Sequence, residues 1–141
     1  SGLGIRDMVG YMLRYHDRAE IASLARIVDQ EAEKGDQVAI DILKEAAAGL
    51  SETLFDVVDR LSMGNEDYVL VGSGSICTKS KTYWNELCRL AKEFAPGLKP
   101  YIPTLPNVVG EAMAILREAI PEDFEAKRER LLKSASDILG K

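Results

Sequence analysis

Histidine is almost missing from this chain. The one histidine in 141 residues, His16, leaves no partner imidazole for a histidine-based metal site. It adjoins Asp17 at a predicted helix boundary and reads as a solvent-facing or capping residue. Cysteine is scarce too. Cys77 and Cys88 are the only two, one in a predicted loop and one in mid-helix, and they read as reduced thiols, not as a disulfide. With no basic region and apolar core at the N-terminus, they lead to the expectation of a cytoplasmic protein. Long apolar runs are lacking as well. None approaches the ~20 residues that cross a bilayer, so no membrane partner is expected. Positive charge is the last deficit. Eighteen basic residues against 23 acidic ones leave a net charge of −5, which argues against a nucleic-acid binder, whose basic patch must neutralise phosphates.

What is present is an ordinary globular composition, 46% hydrophobic and 29% charged, sized for one domain or one compact piece of a larger one. The first 63 residues read as helices, a helical subdomain. Gly4 to Tyr15 is weakly amphipathic, with Ile5, Met8, Met12 and Tyr15 at helical spacing. Asp17 is placed to cap the next helix, whose face carries Ile21, Leu24, Ala25, Val28 and Ala32. Gly35 then occupies a C′ position and Asp36 restarts the chain as an N-cap. A third helix runs to about Leu61. Its apolar stripe is Val38, Ala39, Ile42, Leu43, Ala46, Leu50, Leu54, Val57, Val58 and Leu61, with a thin waist at Ala46-Ala47-Ala48-Gly49.

The pattern changes over residues 64–120. Tyr68-Val69-Leu70-Val71 is a short continuous apolar run, as expected of a strand covered on both faces. Gly72-Ser73-Gly74-Ser75 follows as a loop, and a helix extends from Lys79 to Phe94. Lys99 to Pro103 reads as an edge or irregular strand because of its two prolines. Val108 to about Ile120 is helical, Pro121 ends it, and residues 121–141 form a C-terminal amphipathic helix with Phe124, Leu131, Ala135 and Ile138 inward. The order β-loop-α-β-α predicts parallel strands, hence a helix-dominated α/β fold with a partial parallel sheet. Two strands alone do not make a stable parallel sheet. A missing domain of the same protein, or a second chain, is expected to complete it, and a homodimer is one way to do so.

Ligands of open α/β sheets bind beyond the carboxyl ends of the strands, which singles out the loop Gly72 to Ser75. It lacks the third glycine of a dinucleotide fingerprint, since Cys77 stands there, and it has no Gly-Lys-Ser/Thr of a P-loop. It serves equally as a tight strand-to-helix turn or as backbone that a ligand approaches closely. No G-x-S-x-G elbow is present. Asp56, Asp59, Glu66 and Asp67 bracket the end of the long helix and read as a solvated face. Lys79 and Lys81 either meet phosphates or are simply exposed.

Taken together, Val71-Gly72-Ser73, Thr78 to Tyr83, Phe94-Ala95-Pro96-Gly97 and Pro103-Thr104-Leu105-Pro106-Asn107-Val108-Val109-Gly110-Glu111-Ala112 resemble a known family. It is the N-acetylglucosamine kinase and BadF/BadG/BcrA/BcrD ATPase family, at its C-terminal end. Ile21 to Ala25, Val28 and Ala32 to Ala39 resemble the helical segment that precedes the strand in that family. The likeness covers roughly residues 18 to 118. It implies the actin/hexokinase-like, ribonuclease H-like ATPase fold, in which ATP sits between two α/β domains. Gly72 and Ser73 then match small residues at the adenosine end of the nucleotide, with Gly74 and Ser75 as extra length in that loop. Gly35 and Asp36 match a junction on the adenine side, although cap-to-cap geometry explains that pair equally well. Glu111 stands where the family usually has a small residue.

The family's phosphate-binding hairpin, catalytic aspartate and second phosphate loop have no counterpart here. The expectation is therefore the adenosine-side portion of an ATP-dependent amino-sugar kinase-like protein, inactive alone, with Mg²⁺ bridging the phosphates in the intact protein. Two alternatives are an ATPase that activates a CoA-ester reductase or dehydratase, whose cluster cysteines Cys77 and Cys88 match poorly, and a non-catalytic helical interaction fragment.

Overall fold

The computed structural model describes residue 4, residues 9–11, residue 14 and residues 17–139. His16 lies outside the described residues, as do Ile5, Met8, Met12 and Tyr15 of the first predicted helix. The chain from residue 17 is dominated by helix, with one two-stranded parallel sheet. Helix α1 spans Arg18–Glu33 and begins with a capping box. The Glu20 amide donates to Asp17 Oδ1 at 2.8 Å, and the Asp17 amide donates to Glu20 Oε2 at 3.3 Å. Two of the helix's orphan donors are thus satisfied reciprocally.

At its other end the Gly35 amide donates to the Ala32 carbonyl and the Asp36 amide to that of Glu31, both at 3.0 Å. Gly35 has φ +91°, a region that glycine enters without a Cβ penalty. Helix α2, Gln37–Arg60, starts at once, and Asp36 caps it by accepting from the Ala39 amide at 2.8 Å.

Strand β1 (Val69–Val71) pairs in parallel with β2 (Lys99–Tyr101), in the register Val69 to Lys99 and Val71 to Tyr101. Between them lie a short helix α3 (Gly74–Lys79) and a longer α4 (Lys81–Phe94). After β2 come α5 (Asn107–Ala119), a 3-10 turn (Pro121–Asp123) and α6 (Phe124–Leu139). Helix α2 is the spine, packed against both α1 and α4.

Three small clusters make the core. One joins Val58, Ala91, Ala95 and Leu98 with Leu70 of β1 and Tyr68 just before it. A second joins Ala32, Ala39 and Leu43, and a third Ala47, Tyr83 and Leu87. Of the waist expected in α2, Ala47 is fully buried, whereas Ala46 and Gly49 are exposed. Alanine supplies five of the eleven buried apolar residues among those described, which brings helix axes close but leaves the core thin.

Several expectations are corrected. The strand at Tyr68 to Val71 is not covered on both faces. Val69 and Val71 are 60% and 53% exposed, because helices α2 and α4 lie only on the Tyr68 and Leu70 side. The α2 stripe is wider than its cover for the same reason. Ala39, Leu43 and Val58 are buried, whereas Val38, Ile42, Leu50, Val57 and Leu61 are exposed. The helix expected from Lys79 to Phe94 starts at Lys81, and Lys79 instead ends the short helix α3. The break is at Ser80, where ψ of 102° leaves the helical region and the side chain caps α4 by accepting from the Tyr83 amide at 3.3 Å. Gly74 and Ser75 therefore belong to a helix and not to a loop. In α6, Ile138 is exposed, while Phe124, Leu131 and Ala135 are half-buried as expected.

Candidate functional site at the strand ends

Parallel pairing puts the carboxyl ends of β1 and β2 on the same rim. The Gly72 amide donates to the Tyr101 carbonyl at 2.8 Å and closes the ladder there. A Cβ on Gly72 would sit 2.5 Å from Ile102 Cδ1 and 2.6 Å from the nearest carbon of the Trp84 ring. That separation is far inside van der Waals contact, so glycine is required at this position by its own neighbours. Gly74 differs. It has φ +81°, and a Cβ there would meet nothing within 4 Å. Its freedom is conformational, and the space beside it is open.

Ser73 lies between the two glycines, exposed and extended, and makes no capping bond to α3. Its Oγ accepts instead from Asn107 Nδ2 at 2.6 Å. That bond ties the loop after β1 to the first turn of α5, across 34 residues of chain. Two cavities open on either side of it. One, of 390 Å³, is lined by Val71, Ser73, Tyr101, Val109, Met113 and Leu132 together with the segment Pro103 to Asn107 and Gly110. The other, of 330 Å³, is lined by Gly72, Gly74, Thr78 and the same Pro103 to Asn107 segment. Both reach the lower end of the size range usual for ligand sites.

The chemistry of this lining is uniform. Not one residue bordering either cavity carries a charge. Hydroxyls of Ser73, Thr78, Thr104 and Tyr101 and the Asn107 amide supply hydrogen bonds, while Val71, Leu105, Met113 and the prolines supply apolar surface. Such a rim offers hydrogen bonds and apolar surface, and no charge, to whatever enters it. It offers no lysine or arginine to phosphates and no carboxylate to a divalent cation. Among the described residues no group of three His, Cys, Asp or Glu is placed to hold a metal ion.

The residues singled out by sequence divide into three places. Gly72, Ser73 and Gly74 meet at the strand-end rim. Ser75 turns away and lines a separate 280 Å³ cleft against α1, with Ala22, Ser23, Arg26 and Lys79. Gly35 and Asp36 sit at the junction of α1 and α2, with their main chain and side chain engaged in the cap, and they line none of these cavities. Asp67 pairs with Lys99 at 2.5 Å, Glu66 accepts from the Tyr68 hydroxyl at 2.8 Å, and Asp56 borders a cleft between α2 and α4. Burial raises both thiols above their ordinary value, that of Cys77 against an opposing contact from the Ser73 main chain.

Residue-level reading places Tyr101 in a strand and Thr104 to Asn107 in the segment that follows it, and assigns neither to the site. The available signal was parallel pairing itself, since the loop after β2 must then lie beside the loop after β1.

No protein-family profile matches the chain, and no solved structure matches it. One curated relative does. Over 94 residues the chain is 35% identical to the N-acetylmuramic acid/N-acetylglucosamine kinase of Clostridium acetobutylicum. Those residues are 66% of this chain and 31% of that protein, so the chain spans about a third of the relative it matches. The chain is thus similar to part of a sugar kinase.

Proposed function

We propose that this chain is the adenosine-side, C-terminal portion of an ATP-dependent amino-sugar kinase-like protein of the N-acetylglucosamine kinase and BadF/BadG/BcrA/BcrD ATPase type. In this reading the intact protein has the actin-like ATPase fold, and its remaining length carries the phosphate loops, the catalytic carboxylate and the site for Mg²⁺. The observation that carries the reading is the similarity to a sugar kinase over 94 residues. The uncharged rim at the strand ends is consistent with it, because the purine and ribose are the part of ATP that needs no counter-charge.

The residues that hold the nucleoside are Ser73 and Gly74 on one side and the Pro103 to Asn107 segment on the other. Ser73 Oγ already accepts from Asn107, which leaves its own O–H to donate to a ring nitrogen or ribose oxygen. Tyr101 and Val71 supply the apolar wall. Bound ATP supplies the phosphoryl group; this chain binds and orients its nucleoside end and excludes water from one face of it.

Titration calorimetry tests this directly. The chain is expected to bind adenosine weakly and to show no ATP turnover. Asn107→Ala, which removes the bond to Ser73, is expected to weaken adenosine binding by roughly fivefold, in line with about 1 kcal/mol for a hydrogen bond. ATP hydrolysis by the isolated chain, or adenosine binding untouched by Asn107→Ala, is the result that defeats the proposal.

A further inference from the structure

Charge is absent from both strand-end cavities and present in the cleft beside them. Helix α3 divides the two regions. Gly74 and Thr78 border the strand-end side, while Ser75 and Lys79 line the 280 Å³ cleft against α1, together with Ser23, Arg26 and Ser80. Every charge on this lining is positive. Arg26 comes from α1 and Lys79 from the last turn of α3, so two separate elements each bring one cation. Lys34, Arg89 and Lys99 each hold a carboxylate. Arg26 and Lys79 form no ion pair among the described residues, and no carboxylate lines their cleft. The hydroxyls beside them differ in what they can still give. Ser23 Oγ donates to the Glu20 carbonyl at 2.6 Å, so its proton is already engaged. Ser80 Oγ accepts from the Tyr83 amide at 3.3 Å, which leaves its own O–H to donate. The Ser75 hydroxyl bonds to no described residue.

We propose that the cleft between α1 and α3 binds the phosphate of a small phosphate monoester. Two unpaired cations and two hydroxyl donors, with no acceptor opposite them, are the complement of an oxyanion. Arg26 brings a planar fork that suits two phosphate oxygens, and Lys79 a point charge for a third. The Ser75 and Ser80 hydroxyls serve the oxygens that remain. Charge selects the class. A monoester phosphate carries close to two negative charges at neutral pH, which two cations balance, whereas a carboxylate brings only one. Size narrows it further. The cleft falls just below the ~300–1,000 Å³ usual for ligand pockets, which suits a small ester and not a whole nucleotide. Lys79 thus answers one of the two uses its sequence position allows, a lysine that meets phosphate. The site is independent of the sugar-kinase reading, and the strand-end rim on the other side of α3 stays open to adenosine.

Titration calorimetry of this chain with glycerol phosphate tests the site. Binding with a Kd on the order of a millimolar is expected. Because Arg26 and Lys79 are both exposed, it should weaken as salt is added. Arg26→Gln and Lys79→Gln are each expected to weaken it by roughly tenfold or more, the scale of a hydrogen bond to a charged group. Arg26→Lys keeps the charge and loses the fork, so its affinity should fall between. Exposed side chains leave the fold intact when replaced, and an unchanged thermal melt checks that for each variant. Ser80 is left alone because it caps α4, and Ser75→Ala probes the hydroxyls instead, with a smaller loss expected. Asn107→Ala should leave glycerol phosphate binding unchanged, and saturating glycerol phosphate should leave adenosine binding unchanged. Glycerol phosphate binding in a chain that takes no adenosine keeps this proposal and sinks the adenosine-side reading. Four results overturn the proposal: no binding of glycerol phosphate up to about 10 mM; an affinity untouched by both glutamine variants; acetate bound as tightly as glycerol phosphate, the mark of a diffuse pull on any anion; or displacement of glycerol phosphate by adenosine, which would put the nucleoside in this cleft.

Discussion

Gly72 and Gly74 are separated by one residue and are glycine for opposite reasons. Gly72 is glycine because Ile102 and the Trp84 ring occupy the place of a Cβ. Gly72→Ala is therefore an overpacking mutation beneath the rim, expected to cost about 1–3 kcal/mol. Trp84 is the only tryptophan in the chain, so its emission reports the displacement while thermal denaturation reports the cost. Gly74→Ala has room for its methyl group and pays only for the left-handed backbone, about 1–2 kcal/mol, with Trp84 emission unchanged. The reverse case is Ser62, a non-glycine residue at φ 56° where α2 ends. The Met63 amide reaches back to the Val58 carbonyl at 2.9 Å around it, which is the helix stop that glycine fits best. Ser62→Gly is expected to stabilise by about 1 kcal/mol, and a melting temperature that falls instead would show that the hydroxyl makes a compensating bond.

Helix α2 shows how differently neighbouring small residues act. Ala47 is fully buried against Tyr83 and Leu87, and Ala47→Leu is expected to destabilise by about 1–3 kcal/mol as α4 is pushed away. Two residues on, a Cβ at Gly49 would meet nothing within 4 Å. Gly49→Ala is expected to stabilise by about 0.5–1 kcal/mol through helix propensity alone. Denaturant titration of the pair separates a packing waist from a chance run of small residues. The caps were legible in the sequence because they are local. Asp17, Gly35 and Asp36 each bond within five residues along the chain, and their residue types have few other uses in that order.

The division at Ser80 was not legible. A six-residue helix is too short to show periodicity, and its first residue is a glycine that reads as loop. Nor could the α2 stripe reveal which half of it would be covered. Val57 and Val58 are adjacent and equally apolar, yet one is exposed and the other buried, and only the position of α4 decides between them. The rim is divided in the same way. Gly72 to Gly74 stood out by composition, whereas Thr104 and Asn107 look like any turn until β2 is known to run parallel to β1.

For the molecule as a whole, charge separates the adenosine end of a nucleotide from its phosphates. The chain carries a net charge of −5, and neither strand-end cavity has a charged residue on its wall. Each phosphate added to adenosine therefore brings negative charge toward an acidic protein with no local cation to receive it. ATP is expected to bind the isolated chain no more tightly than adenosine does. Raising the salt concentration screens the repulsion, so the affinity for ATP should rise toward that for adenosine, while that for adenosine stays flat. This dependence is opposite in sign to that of a phosphate-binding site, whose ion pairs weaken in salt. Calorimetry at two ionic strengths reads the sign without any assumption about the acceptor sugar. Tighter binding of ATP than of adenosine at low salt, lost as salt is added, would mean that phosphates are held by residues away from this rim. Lys79, which lines the neighbouring cleft with Arg26, would be the first to replace.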